Sequence, residues 1–259
     1  MRFSAKHGAA LIVLAATLTV AALSAEAQAL TQLRVGADPS YRPISFVDPS
    51  GKLIGFDADF AAALGQHMGV PVAYEGMAWD GIIPALQGGK IDAITNLVIS
   101  DERRKVVAFS QPIMTQTIVA VVRSDSKHPQ ATAADLPGLR VGVMVNTAAA
   151  TALQGMKGVT PTTYNTVVDA YNDLMLGRID VVAVESVNGT YIAASQYAGK
   201  LKVVAKPLTD EVKLNGVALR KQDTEGLAQV NAAIDKMKSD GTLAAIATKW
   251  FGNTVNVPQ

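Results

Sequence analysis

Beyond residue 30, apolar and polar positions alternate between two periods. Short β-branched runs that end in Gly are followed by stretches whose apolar residues recur every three or four positions, the mark of an amphipathic helix. From Phe56 to Met68, the residues Phe56, Phe60, Ala63, Leu64 and Met68 fall near one helical face. A second helix begins over Ile82 to Leu86, and Val168 to Leu176 reads as its counterpart further along. Strands alternating with helices predict mostly parallel α/β sheets.

The pattern also repeats. Leu33-Arg34-Val35-Gly36 returns as Leu139-Arg140-Val141-Gly142, each a short buried strand entering a Gly-bearing loop. Gly89-Lys90-Ile91-Asp92-Ala93-Ile94 returns as Gly177-Arg178-Ile179-Asp180-Val181-Val182. At both places a helical stretch closes on Gly, a common helix C-terminal residue, and a strand follows. Two echoes in the same order predict two similar α/β lobes.

The tail belongs to neither copy. Val217–Arg220 reads as a strand, Leu227 to Met237 as an amphipathic helix ended by Gly241, and Leu243 to Trp250 as another, with Phe251-Gly252 as its stop. A tail returning to the first lobe assigns residues 30–115 and 216–259 to lobe 1 and 119–209 to lobe 2. The crossings at 115–118 and 210–216 would then be hinges.

The start of the chain follows different rules. Arg2 and Lys6 precede an uncharged, largely apolar run from Gly8 to Leu23, and Ala25-Glu26-Ala27 supplies small residues at the spacing of a signal-peptidase site. Residues 1–27 therefore read as a secretory signal, with cleavage near Ala27 or Ala29, and are excluded from the fold. No Cys follows the run, so a thiol-linked lipid anchor is not expected.

Composition narrows the function classes. Cutting after Ala27 removes Arg2 and Lys6 from 23 basic residues and Glu26 from 22 acidic ones, leaving 21 of each. A neutral chain is a poor match for nucleic acid, whose phosphates select basic surfaces. The absence of Cys excludes disulfides, thiolate metal sites and thiol nucleophiles. The three His residues, His7, His67 and His128, are not at metal-ligand spacing, and no Ser-His-Asp grouping or phosphate-binding Gly-rich loop is present. No metal or cofactor is expected.

Five segments in order carry a family resemblance across almost the whole mature chain: Gly55-Phe56-Asp57-Ala58-Asp59-Phe60, Trp79-Asp80-Gly81-Ile82-Ile83-Pro84-Ala85-Leu86, Glu102-Arg103-Arg104-Lys105-Val106-Val107 with Phe109-Ser110, Asp240-Gly241-Thr242, and Lys249-Trp250-Phe251-Gly252. Together they resemble family 3 extracellular solute-binding proteins, the polar amino-acid receptors of ATP-driven importers. The resemblance implies a periplasmic, two-lobe hinged fold of the Venus flytrap kind, a monomer that closes on an amino acid and delivers it to the membrane permease of an ABC transporter.

Ligands of open α/β sheets sit beyond the carboxyl ends of the strands, and an amino acid there needs partners for a carboxylate, an ammonium and a side chain. Arg103 is the expected carboxylate partner, since a guanidinium binds it bidentately and Ser100 just upstream can cap a helix. Glu185, where the family usually has Asp, is expected to take the ammonium with help from the Asn96 side chain or the backbone nearby. Tyr41 and Trp79 are expected as aromatic walls, and Asp38 as a polar residue at the side-chain end. Three positions depart from the family. Val98 replaces a usual hydroxyl and leaves only a backbone donor. Asn146 replaces a usual Gly. Ala148 replaces a frequent hydroxyl, leaving Thr147 as the side-chain donor of that helix start.

Two other readings share the fold. Cyclohexadienyl dehydratases would use Glu185, near Asn188, as a general acid on prephenate or arogenate. A soluble sensor would report the solute to a receptor instead of importing it.

Overall fold

A computed structural model describes residues 32–252 and residue 258. The expected signal segment and both cleavage positions lie outside the described residues.

Two five-stranded sheets dominate. The first runs Val72–Gly76, Leu33–Ala37, Ala93–Val98, Lys213–Arg220, Val107–Gln116; the second runs Thr162–Tyr164, Val141–Met144, Val181–Glu185, Ile118–Arg123, Leu201–Val203. In each, the first three strands are parallel and the fourth is antiparallel to both its neighbours. The reversed strand is the one that enters from the other lobe: it starts at the cleft, where its neighbours end. A three-stranded antiparallel sheet, Ser40–Tyr41, Ser45–Val47 and Leu53–Ile54, sits beside the first.

The sequence echoes are one structural device used twice. Arg34 donates through Nε and Nη2 to the Asp92 carboxylate at 2.8 and 2.7 Å, and Arg140 does the same to Asp180 at 3.0 and 2.6 Å. The backbone N–H groups of both arginines also donate to these carboxylates. Each clamp ties the start of one strand, Leu33–Ala37 or Val141–Met144, to the parallel strand beside it. The echoed glycines serve the same junction by being small. A Cβ on Gly36 would lie 2.6 Å from Ile91 Cδ1, and one on Gly142 would lie 2.5 Å from Ile179 Cδ1. The second copy of the strand begins at Val141, two residues later than its sequence suggests, because the Leu139 amide closes a turn onto the Leu136 carbonyl.

The segments read as hinges are largely strand. Only Thr117 separates Val107–Gln116 from Ile118–Arg123, and the returning strand already starts at Lys213, with Lys213 opposite Gln116. Ladder pairing gives partners to backbone groups that a crossing loop would have to bury unpaired.

The C-terminal helices, Thr224–Ser239 and Thr242–Phe251, pack on the helix Phe56–Met68 as the tail pattern suggested. Asp59 accepts from Lys249 Nζ at 2.6 Å and Trp250 Nε1 at 2.7 Å, the Phe56 and Phe251 rings are 4.8 Å apart, and His67 meets Asp240 at 2.8 Å. Much of the family signature at the two ends of the chain is therefore one docking surface.

Candidate functional site

A cavity of about 580 Å³, part of it open to solvent, lies between the carboxyl ends of the two sheets. All nine residues expected at the site line it: Asp38, Tyr41, Trp79, Asn96, Val98 and Arg103 from the first lobe, and Thr147, Ala148 and Glu185 from the second. Along the strand Ala93–Val98, the residues Ile94, Asn96 and Val98 alternate toward it, as the two-residue period of a strand requires.

Arg103 sits on a short helix, Asp101–Arg104, whose Ser100 hydroxyl accepts from the Arg103 amide at 3.3 Å. Its guanidinium is held by carbonyls: Nη1 donates to Val98 O at 3.0 Å and Nη2 to Asn146 O at 2.8 Å. No carboxylate pairs with it among the described residues. Burial lowers its basicity and the Glu185 charge across the cavity raises it; a guanidinium stays protonated in such a setting. Val98 thus contributes a carbonyl that fixes Arg103, a contact its expected role as a backbone donor did not include.

Glu185 ends the strand Val181–Glu185 and precedes the helix Ser186–Ala194. It is buried and accepts from Tyr41 O–H and from the Ala149 amide, the latter at 3.3 Å. Burial, and then the neighbouring Glu185 charge, hold the Tyr41 phenol well above its ordinary pKa, so it stays a donor. Asn96 does not join this group. It stands beside Asp57, because the strand that carries it packs on the first-lobe helix.

Thr147 caps the helix Ala148–Gln154, accepting from Ala150 N at 3.1 Å and donating to Met144 O at 2.8 Å. The hydroxyl is thereby committed to the protein. Asp38 Oδ1 accepts from the Ser40 amide and hydroxyl at 2.7 and 2.6 Å, while burial raises its pKa against those bonds.

The lobes touch at both flanks of the cavity. Trp79 Nε1 and Arg103 Nη2 both donate to the Asn146 carbonyl, at 3.2 and 2.8 Å. Asn146 has φ 59°, the left-handed conformation that Asn tolerates in place of Gly. On the other flank Asn188 Nδ2 donates to Arg42 O at 2.6 Å, and its Oδ1 accepts from Tyr171 O–H at 2.7 Å. Asn188 therefore joins the lobes, and it does not line the cavity.

Four polar lining residues had escaped the sequence reading: Ser45, Asp57, Gln116 and Asn215. Gln116 and Asn215, on the two crossing strands, are joined by a buried Nε2–Oδ1 bond of 3.0 Å. Asp57 lies on the inward face of its helix with Phe60, Ala61 and Leu64. A carboxylate within an apolar helical stripe was the available signal for Asp57; the crossings gave none.

A profile of bacterial extracellular solute-binding proteins, family 3, matches residues 33–253. The chain belongs to this family. It is 38% identical over 229 residues to the L-cystine-binding protein TcyJ of Escherichia coli, covering 86% of this chain and 84% of that protein. It is 35% identical over 227 residues to the L-arginine-binding protein of Pseudomonas aeruginosa, covering 85% and 87%. Among solved structures, the ancestral amino acid-binding protein AncCDT-1, a precursor of cyclohexadienyl dehydratase, superposes with a TM-score of 0.78 at 35% identity, over 85% of this chain and 96% of that one. The family 3 relatives are binding proteins, and the flytrap architecture is common to them.

Proposed function

We propose that this chain is the periplasmic solute-capturing component of an ABC importer and that its solute is an α-amino acid, held between the lobes. The observation that carries this is a pair of opposite charges in one cavity: Arg103 from the first lobe and Glu185 from the second. A zwitterion complements both at once, the guanidinium taking the carboxylate and Glu185 the ammonium. Tyr41 and Trp79 supply aromatic area on either side. The solutes named for the two relatives, cystine and arginine, are amino acids.

The crossings at 115–118 and 210–216 act as the hinge in this reading, and ligand shifts the lobes toward closure by the contacts it makes only in the closed form. The chain is exported, cleaved near Ala27 or Ala29, works as a monomer without nucleic acid, and hands its solute to a membrane permease. In this reading the chain is a binding protein and not an enzyme, as the relatives it resembles are binding proteins. Thermal-shift screening against all amino acids, with mass spectrometry of co-purified solute, tests the reading. A true ligand raises the melting temperature by mass action. A screen in which no amino acid does so, or phenylpyruvate release from prephenate at enzymatic rates, would overturn it.

A further inference from the structure

The wall of the cavity on the first-lobe side is polar in a way that the zwitterion does not use. Five side chains from four elements meet there: Ser45, Asp57, Tyr74, Thr95 and Asn96. Each presents a buried oxygen that no hydrogen bond of good geometry satisfies, and only one other side-chain atom among the described residues, Thr209 Oγ1, shares that condition. Thr95 and Asn96 nevertheless stand close enough to pull on the Asp57 carboxyl, and Ser45 on the Tyr74 phenol. Ser45, Asp57, Thr95 and Asn96 are 1%, 4%, 0% and 9% exposed, so solvent is not their partner. Ser45, Asp57 and Asn96 line the cavity itself, with Thr95 and Tyr74 behind them.

We propose that Ser45, Asp57 and Asn96 form an acceptor subsite for the far end of the ligand's side chain, so that the protein selects amino acids whose side chains end in an N–H donor. This rests on the reading of the cavity as an amino-acid site. The open oxygens of Asp57 and Asn96 are acceptors, and the hydroxyls of Ser45 and Thr95 can turn to suit either role. An ammonium, guanidinium, amide or imidazole N–H satisfies such a set; a methyl leaves it buried and unpaired, and a second carboxylate brings further acceptors to a set that lacks donors. A site built to receive a donor rejects the analogue that lacks one more strongly than an apolar pocket rejects a change of size. Burial pushes the Asp57 carboxyl up to about 8, against the opposing pull of Thr95 and Asn96, as befits a group that no cation of the protein reaches. Arg103 and Glu185 match the two charges of the backbone end, which leaves Asp57 and Asp38 as the carboxyl groups a side chain meets.

The test is calorimetry of the full mature chain at neutral pH with lysine, arginine, glutamine and histidine against norleucine, leucine and glutamate. The expected result is that the best N–H-tailed amino acid binds at least tenfold more tightly than any apolar or acidic one, and that Asp57→Asn or Asn96→Ala shrinks this ratio while norleucine binding changes little. An apolar or acidic amino acid that binds wild type as tightly as the best N–H-tailed one overturns the subsite and leaves the amino-acid reading standing. Failure of the whole series to bind overturns both. The wild-type ranking decides even if a variant folds poorly, and the melting temperature of each variant reports its folding.

Discussion

At the ends remote from the cleft the two lobes are near copies; at the cleft they are not. Each remote end has its Arg–Asp clamp and an Arg closing the strand that enters from the other lobe. Arg220 Nη1 donates to Ile91 O at 2.8 Å, and its equivalent Arg123 reaches Ile179 O at 3.4 Å and Leu174 O at 2.8 Å. Only Arg220 also reaches the clamp carboxylate, with Nη2 3.1 Å from Asp92 Oδ1; Arg123 turns to Asp125 instead. At the cleft, the first-lobe helix opens Phe56-Asp57 and brings a carboxyl inward, whereas the second-lobe helix opens with the buried Ala148-Ala149-Ala150. The first lobe offers side chains, and the second offers Glu185 and backbone. A duplicated scaffold carries a divided chemistry.

The largest effect should come from separating those contributions. Arg103→Ala is expected to weaken amino-acid binding at least about a hundredfold, since it removes the only cation facing the carboxylate. Thr147→Ala should cost no more than about tenfold, the value of a helix cap. Isothermal titration checks both, and equal losses would erase the division.

Next comes the clamp, where the copies differ by one arginine. Burial favours the neutral form of Asp92, but the hydrogen bonds of Arg34 and Arg220 outweigh it and hold the carboxyl below its ordinary range. Asp92→Ala strands both cations and should cost about 3 kcal/mol in chemical denaturation. Asp180→Ala frees only the exposed Arg140 and should cost about 1 kcal/mol.

Asp57 has no counterpart in the second lobe, and pH exposes it. Unfolded, its carboxyl ionises near 3.8, whereas burial keeps it protonated up to about 8 in the folded protein. Between those values the folded state binds the extra proton, so this group's contribution to stability falls as pH rises. Asp57→Asn, measured without ligand, should stabilise more at pH 8 than at pH 5, by up to a few kcal/mol. Tyr74 faces the same carboxyl and is itself pushed up, so it stays neutral throughout. A variant with an unchanged pH profile would show that the carboxyl is ionised in the fold.

The smallest effect lies at the tail contact, which only the first lobe has. The bond to Asp240 raises the His67 pKa, and the stability gained is present below 6.5 and lost as pH climbs through the raised value. The pair is exposed, so His67→Asn should shift the melting temperature by about 1 °C at pH 6 and not at pH 9.

Much of the remote architecture was readable in advance because local rules govern it. Leu33–Gly36 and Gly89–Asp92 announce strands by hydrophobicity and Gly, and the repeat signals that they are paired. Phe56–Met68 was readable to the residue because its apolar stripe is regular. The cleft was partly readable: Arg103, Glu185, Tyr41 and Trp79 were expected there through resemblance. Asn96 was expected beside Glu185, yet which neighbour a strand residue meets depends on the helix laid across it. Gln116 and Asn215 are 99 residues apart in the chain, and no local pattern joins them. The departure at Asn146 pointed to a turn, but that its carbonyl would take donors from Trp79 and Arg103 required both lobes in place.

That carbonyl oxygen bears on time as well as geometry. Trp79 and Arg103 line both the inner cavity and a wider outer groove that Asn146 also borders, so their two bonds to Asn146 form the partition between them. A solute that passes through this partition does so only when both donors release one oxygen. Arg103, which we propose pairs with the solute's carboxylate, is thus also part of the door. Changes at Trp79 should then be felt in the residence time of the bound solute more than in its rate of arrival.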